Sequence, residues 1–143
     1  MCPNVVKQST KGDCPLWHDF DKVMYELFRK KLGSIAHVAN WSRPDLAFAV
    51  SFVSQFMANP GDKHMHMVDY ILGYLKNTRT LKITFKQSRN KVVLLGLSDS
   101  DLGGCLDSRR SRTGYLFYLF GNIIAWQSRL QPSVSLSTAE AEY

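Results

Sequence analysis

A chain of 143 residues with 45% hydrophobic content has the length of one domain and enough apolar side chains for a packed core, which excludes a disordered tail. Its net charge of +6 favours a polyanionic neighbour such as nucleic acid, although charge alone does not require one. Three cysteines, Cys2, Cys14 and Cys105, stand far apart with no Cys-x-x-Cys pair, so neither a zinc site nor a disulfide framework is suggested, and no apolar run reaches the roughly 18 residues of a membrane span.

Residues 1–20 are polar and irregular, with Pro3, Gly12 and Pro15, and read as a lead-in. They lack the apolar core of a secretory signal, so an intracellular location is expected. Residues 21–80 form a helical segment. Met24, Leu27, Phe28, Leu32 and Ile35 recur at helical spacing, with Gly33 as a weak point. A second helix is opened by Ser42 and Pro44 and closed by Asn59, Pro60 and Gly61, with Leu46, Ala49, Val50, Val53 and Met57 in one stripe and Phe48, Phe52 and Phe56 in another. A third places Val68, Ile71, Leu72 and Leu75 on one face, with Tyr70 and Tyr74 beside them. His64 and His66 beside Met65 and Met67 suggest a metal pair, but positions i and i+2 diverge on a helix and no acid or cysteine is near. The Met and aromatic residues are therefore expected in the core.

From Lys76 to Lys91 there are six basic residues, Lys76, Arg79, Lys82, Lys86, Arg89 and Lys91, and no acid. Such a surface suits a phosphate backbone, although "KQSRN" also fits a solvated linker. Residues 81–143 then turn to strand character. "LKITF" alternates, "VVLLGL" is continuously apolar as in a buried strand, and "TGYLFYLF" leads through Gly121-Asn122 into "IIAWQS", a hairpin pattern. Strands are expected over 92–98, 113–120 and 123–128. From Thr138 the chain returns to helix, with Ser137 and Glu140 spaced as a capping box.

Three segments, "RPDLAFAVSFVSQFMANPGDKHMHMVDYILGYLKNT", "LSDSDLGGCLDSRRSRTGYLF" and "IIAWQSRLQPSVSLSTAEAEY", taken in order and with their gaps, are similar to the end of the reverse transcriptase region and the start of the ribonuclease H domain of copia-type retrotransposon Pol polyproteins. The likeness covers about residues 25–143. It implies an α+β fold: a small helical unit followed by a truncated ribonuclease H-like domain of three antiparallel strands and the start of a helix. It also implies that Asp99 is the first catalytic and metal-binding carboxylate, at the end of the first strand, and Glu142 the second. Glu140 is the rival, but it can close the capping box onto the backbone at Ser137, which leaves Glu142 free. Asp101, two residues past Asp99, can face the same way or serve the surface.

The family's chemistry uses Mg²⁺, and two such ions about 4 Å apart need a cluster of carboxylates supplying oxygens at about 2.1 Å. Two carboxylates hold at most one ion weakly. The family's remaining aspartates would follow the first helix, and its polymerase aspartates have no counterpart before Asp99, so the expectation is a Pol fragment without catalytic activity of its own. Leu102 stands where the family usually has an aromatic, Cys105 where it has an acid, and "AHVANWS" replaces a more apolar stretch. Two alternatives accompany this reading. Short chains of this kind resemble copia-derived sequences labelled secreted RxLR-type oomycete effectors, which enter plant cells and suppress host cell death, a role that implies binding to a host protein; Arg79-Thr80-Leu81-Lys82 is one residue from that string. The other is binding of RNA–DNA hybrid through the basic stretch with Arg109, Arg110 and Arg112.

Overall fold

The computed structural model describes residues 22–87 and 93–143. The first helix, α1 (Lys22–Trp41), forms because Phe28, Leu32, Ile35 and Ala39 recur at intervals of four, three and four, and all four are buried. Leu27 falls outside this stripe and is exposed. Gly33 does not interrupt the helix: it lies on the open side, with nothing within 4 Å of where a Cβ would stand.

The second helix is shorter than its apolar pattern predicts. A 3-10 turn (Pro44–Leu46) leads into α2 (Ala47–Val53), and a second 3-10 turn (Ser54–Phe56) ends it. Ser42 closes α1 instead of opening α2, since both its amide and its hydroxyl donate to the Val38 carbonyl. At the other end the Ser54 hydroxyl donates to the Val50 carbonyl at 2.7 Å, competing with the backbone ladder where the helix tightens. Of the expected stripe Leu46, Ala49, Val50 and Val53 are buried and Met57 is half-buried, while from the aromatic stripe Phe56 is buried and Phe48 and Phe52 are half-buried.

The third helix, α3 (Asp62–Asn77), buries Met65, Met67, Val68 and Ile71 against α1 and α2. His64 is fully buried, stacks on Phe56 at 4.1 Å between ring centres, and accepts the Gly61 amide at Nδ1 over 2.9 Å, so it caps the helix. His66 is exposed. Arg43 locks the bundle. It forks onto the Asp45 carboxylate at 2.9 and 2.8 Å, donates to the Thr78 carbonyl and hydroxyl, and lies over the Tyr74 ring, whose hydroxyl donates to Asp45.

β1 (Leu94–Ser100), β2 (Arg112–Leu119) and β3 (Asn122–Leu130) make one antiparallel sheet in that order, so the protein is α+β as expected. The β2–β3 turn is Phe120-Gly121, not Gly121-Asn122: Leu119 pairs with Asn122, and both turn residues have positive φ, 52° and 77°, the pattern of a two-residue hairpin of the primed type. Asn122 instead opens β3, and its side-chain amide accepts from Lys86 N and donates to Lys86 O. "LKITF" carries no strand assignment, which corrects its reading as a strand: the alternation is present, but no ladder partner is found among the described residues. β1 also departs from expectation. It is exposed along Leu94–Asp99: β1 and β3 are both edge strands of the sheet, and it is β3 that α2 covers.

Cross-strand partners share a face, so Leu97, Leu116 and Trp126 form one row and Asp99, Gly114 and Ser128 the next. This face meets the helices. The Trp126 indole N–H donates to the Ala39 carbonyl at 2.9 Å, and Arg112 reaches Ser51 of α2. On the opposite face the Phe117 ring lies over Gly96, where a Cβ would come within 2.7 Å of it. α4 (Thr138–Glu142) packs beside β1, burying Ala141.

Candidate functional site

Where the sheet face leaves the start of α2, a groove of about 440 Å³ opens between Phe48, Leu97, Asp99, Arg112, Leu116 and Trp126. Asp99 lies inside β1, one residue before its end, paired with Gly114. The missing side chain of Gly114 leaves the neighbouring space on that face clear.

Asp101 continues the same face but serves the backbone. Its carboxylate accepts the Arg112 amide at 2.5 Å, its own amide donates to the Arg112 carbonyl, and a Cβ at Gly104 would overlap its oxygens. Asp101 thus ties the end of β1 to the start of β2; both carboxylates line the groove, and Asp101 is the one engaged by the backbone.

Arg112 is the feature that sequence reasoning placed on the surface and the structure turns inward. It is 8% exposed, donates to the Ser51 hydroxyl at 2.6 Å, and lies 5.3 Å over the Phe48 ring. Burial lowers the guanidinium's pKa, and the nearby Asp101 charge partly opposes that. Nothing local in "RRSRTG" separates Arg112 from Arg109 and Arg110, both exposed; only its place as the first residue of β2 selects it.

Glu142 lies exposed on α4, whose packing against β1 makes the elements bearing Asp99 and Glu142 neighbours. Glu140 is engaged in capping: its amide donates to Ser137 Oγ, and its carboxylate accepts from the Leu136 amide rather than from Ser137. A residue the sequence did not mark holds this helix in place. Gln131 Nε2 donates to both the Ala141 carbonyl and Thr113 Oγ1, and its Oε1 accepts from Ser135.

No group of three or more His, Cys, Asp or Glu side chains able to hold a metal exists among the described residues. A Mg²⁺ ion takes oxygens in near-octahedral array, which these residues do not supply, so no step is assigned to a metal here. Of the basic residues, Lys76, Arg79, Lys82 and Lys86 are exposed, while Arg89 and Lys91 lie outside the described residues. No described helix is long and apolar enough to cross a membrane.

Comparison with known proteins follows the same lines. The chain is 42% identical over all 143 residues to the retrovirus-related Pol polyprotein from transposon TNT 1-94 of Nicotiana tabacum, of which it spans 10%. It is 38% identical over 116 residues to the corresponding polyprotein from transposon RE1 of Arabidopsis thaliana, 81% of this chain and 8% of that one. A protein of Plasmopara viticola named Secreted RxLR effector protein 161 is 40% identical over 112 residues, 78% of each chain. The chain belongs to the retrotransposon Pol polyprotein family. Because the tobacco Pol polyprotein matches the whole chain, whatever the Plasmopara protein shares with it lies within Pol sequence. No protein-family model and no solved structure matches it.

Proposed function

We propose that this Pol segment joins the end of a reverse transcriptase region to the opening strands of a ribonuclease H-like domain, and that it has no hydrolase activity of its own. The observation that carries the reading is the packing of α4 on β1 in a β1-β2-β3 antiparallel sheet, which puts the elements bearing Asp99 and Glu142 side by side. In this reading Asp99 and Glu142 are two members of a carboxylate set whose other members the described residues do not provide. Two carboxylates bind Mg²⁺ weakly and cannot balance the pair of ions that in-line phosphodiester hydrolysis uses.

The purified chain incubated with an RNA–DNA hybrid and Mg²⁺ is expected to leave the hybrid intact. Cleavage that Asp99→Asn abolishes would overturn the claim of inactivity while supporting the assignment of Asp99.

A further inference from the structure

A second groove carries chemistry unrelated to Asp99. It has a volume of about 670 Å³ and lies between the last turn of α1, residues 81–85 and β3. Two aromatic rings stand in water at its rim, Trp41 at 76% exposure and Phe85 at 66%, beside the half-exposed Leu81 and Ile124. Folding ordinarily removes apolar area of this kind from solvent, so its retention marks a surface meant to be covered. Lys82 lines the groove, Lys86 follows Phe85 on the same stretch, and no carboxylate among the described residues lines it.

The groove is held in shape. At one end the Leu81 amide donates to the Thr78 carbonyl, which Arg43 also binds; at the other, Asn122 grips both backbone groups of Lys86. Lys82 and Lys86 stand four positions apart along this held stretch.

Exposed rings interleaved with lysines and free of acids fit one class of partner. A duplex offers phosphates but keeps its base faces stacked inside. An acidic peptide meets the lysines and leaves the rings uncovered. A single strand offers both unstacked bases for the rings and phosphates for the ammonium groups. We propose that this groove binds single-stranded nucleic acid, with Trp41 and Phe85 stacking bases and Lys82 and Lys86 meeting phosphates. The inference goes beyond the Asp99 reading and does not depend on it.

The test is fluorescence anisotropy of a short labelled oligothymidylate titrated with the full chain, without divalent cations. Trp41→Ala and Phe85→Ala are each expected to weaken binding roughly tenfold, the size of one base–aromatic stack, and Trp41→Phe to restore most of the loss. Lys82→Gln and Lys86→Gln should each reduce the slope of log affinity against log salt by about 0.7. Trp41 and Phe85 are exposed, so their removal leaves the core intact, which circular dichroism of the variants checks. Unchanged affinity in Trp41→Ala would overturn the proposal, as would competition by a duplex or by polyglutamate equal to that of the single strand. Hybrid cleavage uses Mg²⁺ and a different substrate, so a failure in either assay leaves the other reading standing.

Discussion

Arg43 and Arg112 are both buried guanidinium groups, made tolerable in different ways. Arg43 has a bidentate carboxylate partner in Asp45, and that guanidinium holds the Asp45 carboxyl below its ordinary range against the opposing effect of burial. A carboxyl whose folded pKa is depressed contributes stability above its unfolded pKa, near 3.9, and loses it as pH falls through the folded value. Asp45→Asn is thus expected to flatten the decline of the urea midpoint below about pH 4 while lowering the midpoint at pH 7. Arg112 has no carboxylate within ion-pair distance among the described residues and rests on Ser51 and Phe48 instead. Replacing a buried charge by an apolar side chain of similar length is often neutral or stabilising, whereas truncating it leaves a void. Arg112→Met is therefore expected to keep or raise the denaturation midpoint, and Arg112→Ala to lower stability by about 2 kcal/mol. Equal losses in the two variants would show that the charge itself is what matters. The sequence marked Arg112 as one of three similar arginines, and burial, a non-local property, separates it from the other two.

Among the elements, the hairpin and α4 show how far local signals reach. Gly121 was legible as a turn residue because only glycine takes positive φ without cost, but Phe120 at φ 52° was not, since its side chain opposes that conformation. Phe120→Asn is expected to stabilise the protein by about 0.5 to 1 kcal/mol in thermal or chemical denaturation, because asparagine accepts the left-handed conformation. The N-cap of α4 was equally legible: Ser137 accepts from Glu140 as its spacing predicts. With five residues the helix cannot persist by itself, so its existence rests on Ala141 and Gln131 docking it beside the sheet. Gln131→Leu is expected to release α4, seen as faster proteolysis and hydrogen exchange over 138–142 with the helical core unchanged. The "LKITF" stretch fails in the opposite sense, because its alternation is real but pairing needs a neighbouring strand that the described residues do not place there.

At the scale of the whole molecule the core belongs to the helices: every member of its buried apolar cluster comes from α1, the Pro44–Leu46 turn, α2 or α3. The sheet is attached through the helical face of β3 and β2, with Trp126 and Arg112 as its hydrogen-bonded links, and β1 is left exposed. Opening is expected to be graded, with β1 amides exchanging fastest in the sheet and those of α1 and α3 near Phe28, Leu32 and Ile71 slowest. Trp126→Phe removes the bond to Ala39 and should widen the gap between the two groups by about 1 kcal/mol in native-state hydrogen exchange. Uniform exchange across both halves would contradict this division.

The sequence by itself determined the helical core, the hairpin, the cap of α4 and the family, because these rest on spacing of three and four, on turn residues and on motifs that are contiguous in the chain. Only the tertiary structure decided which strand is left uncovered, which arginine turns inward, and that of the two carboxylates lining the groove Asp101 is the one that binds backbone. It also decided that Trp41 and Phe85, separated by the whole of α2 and α3, share one surface. The physical reason is common to all four: burial and juxtaposition depend on what packs against a residue from elsewhere in the chain, and no local pattern records that.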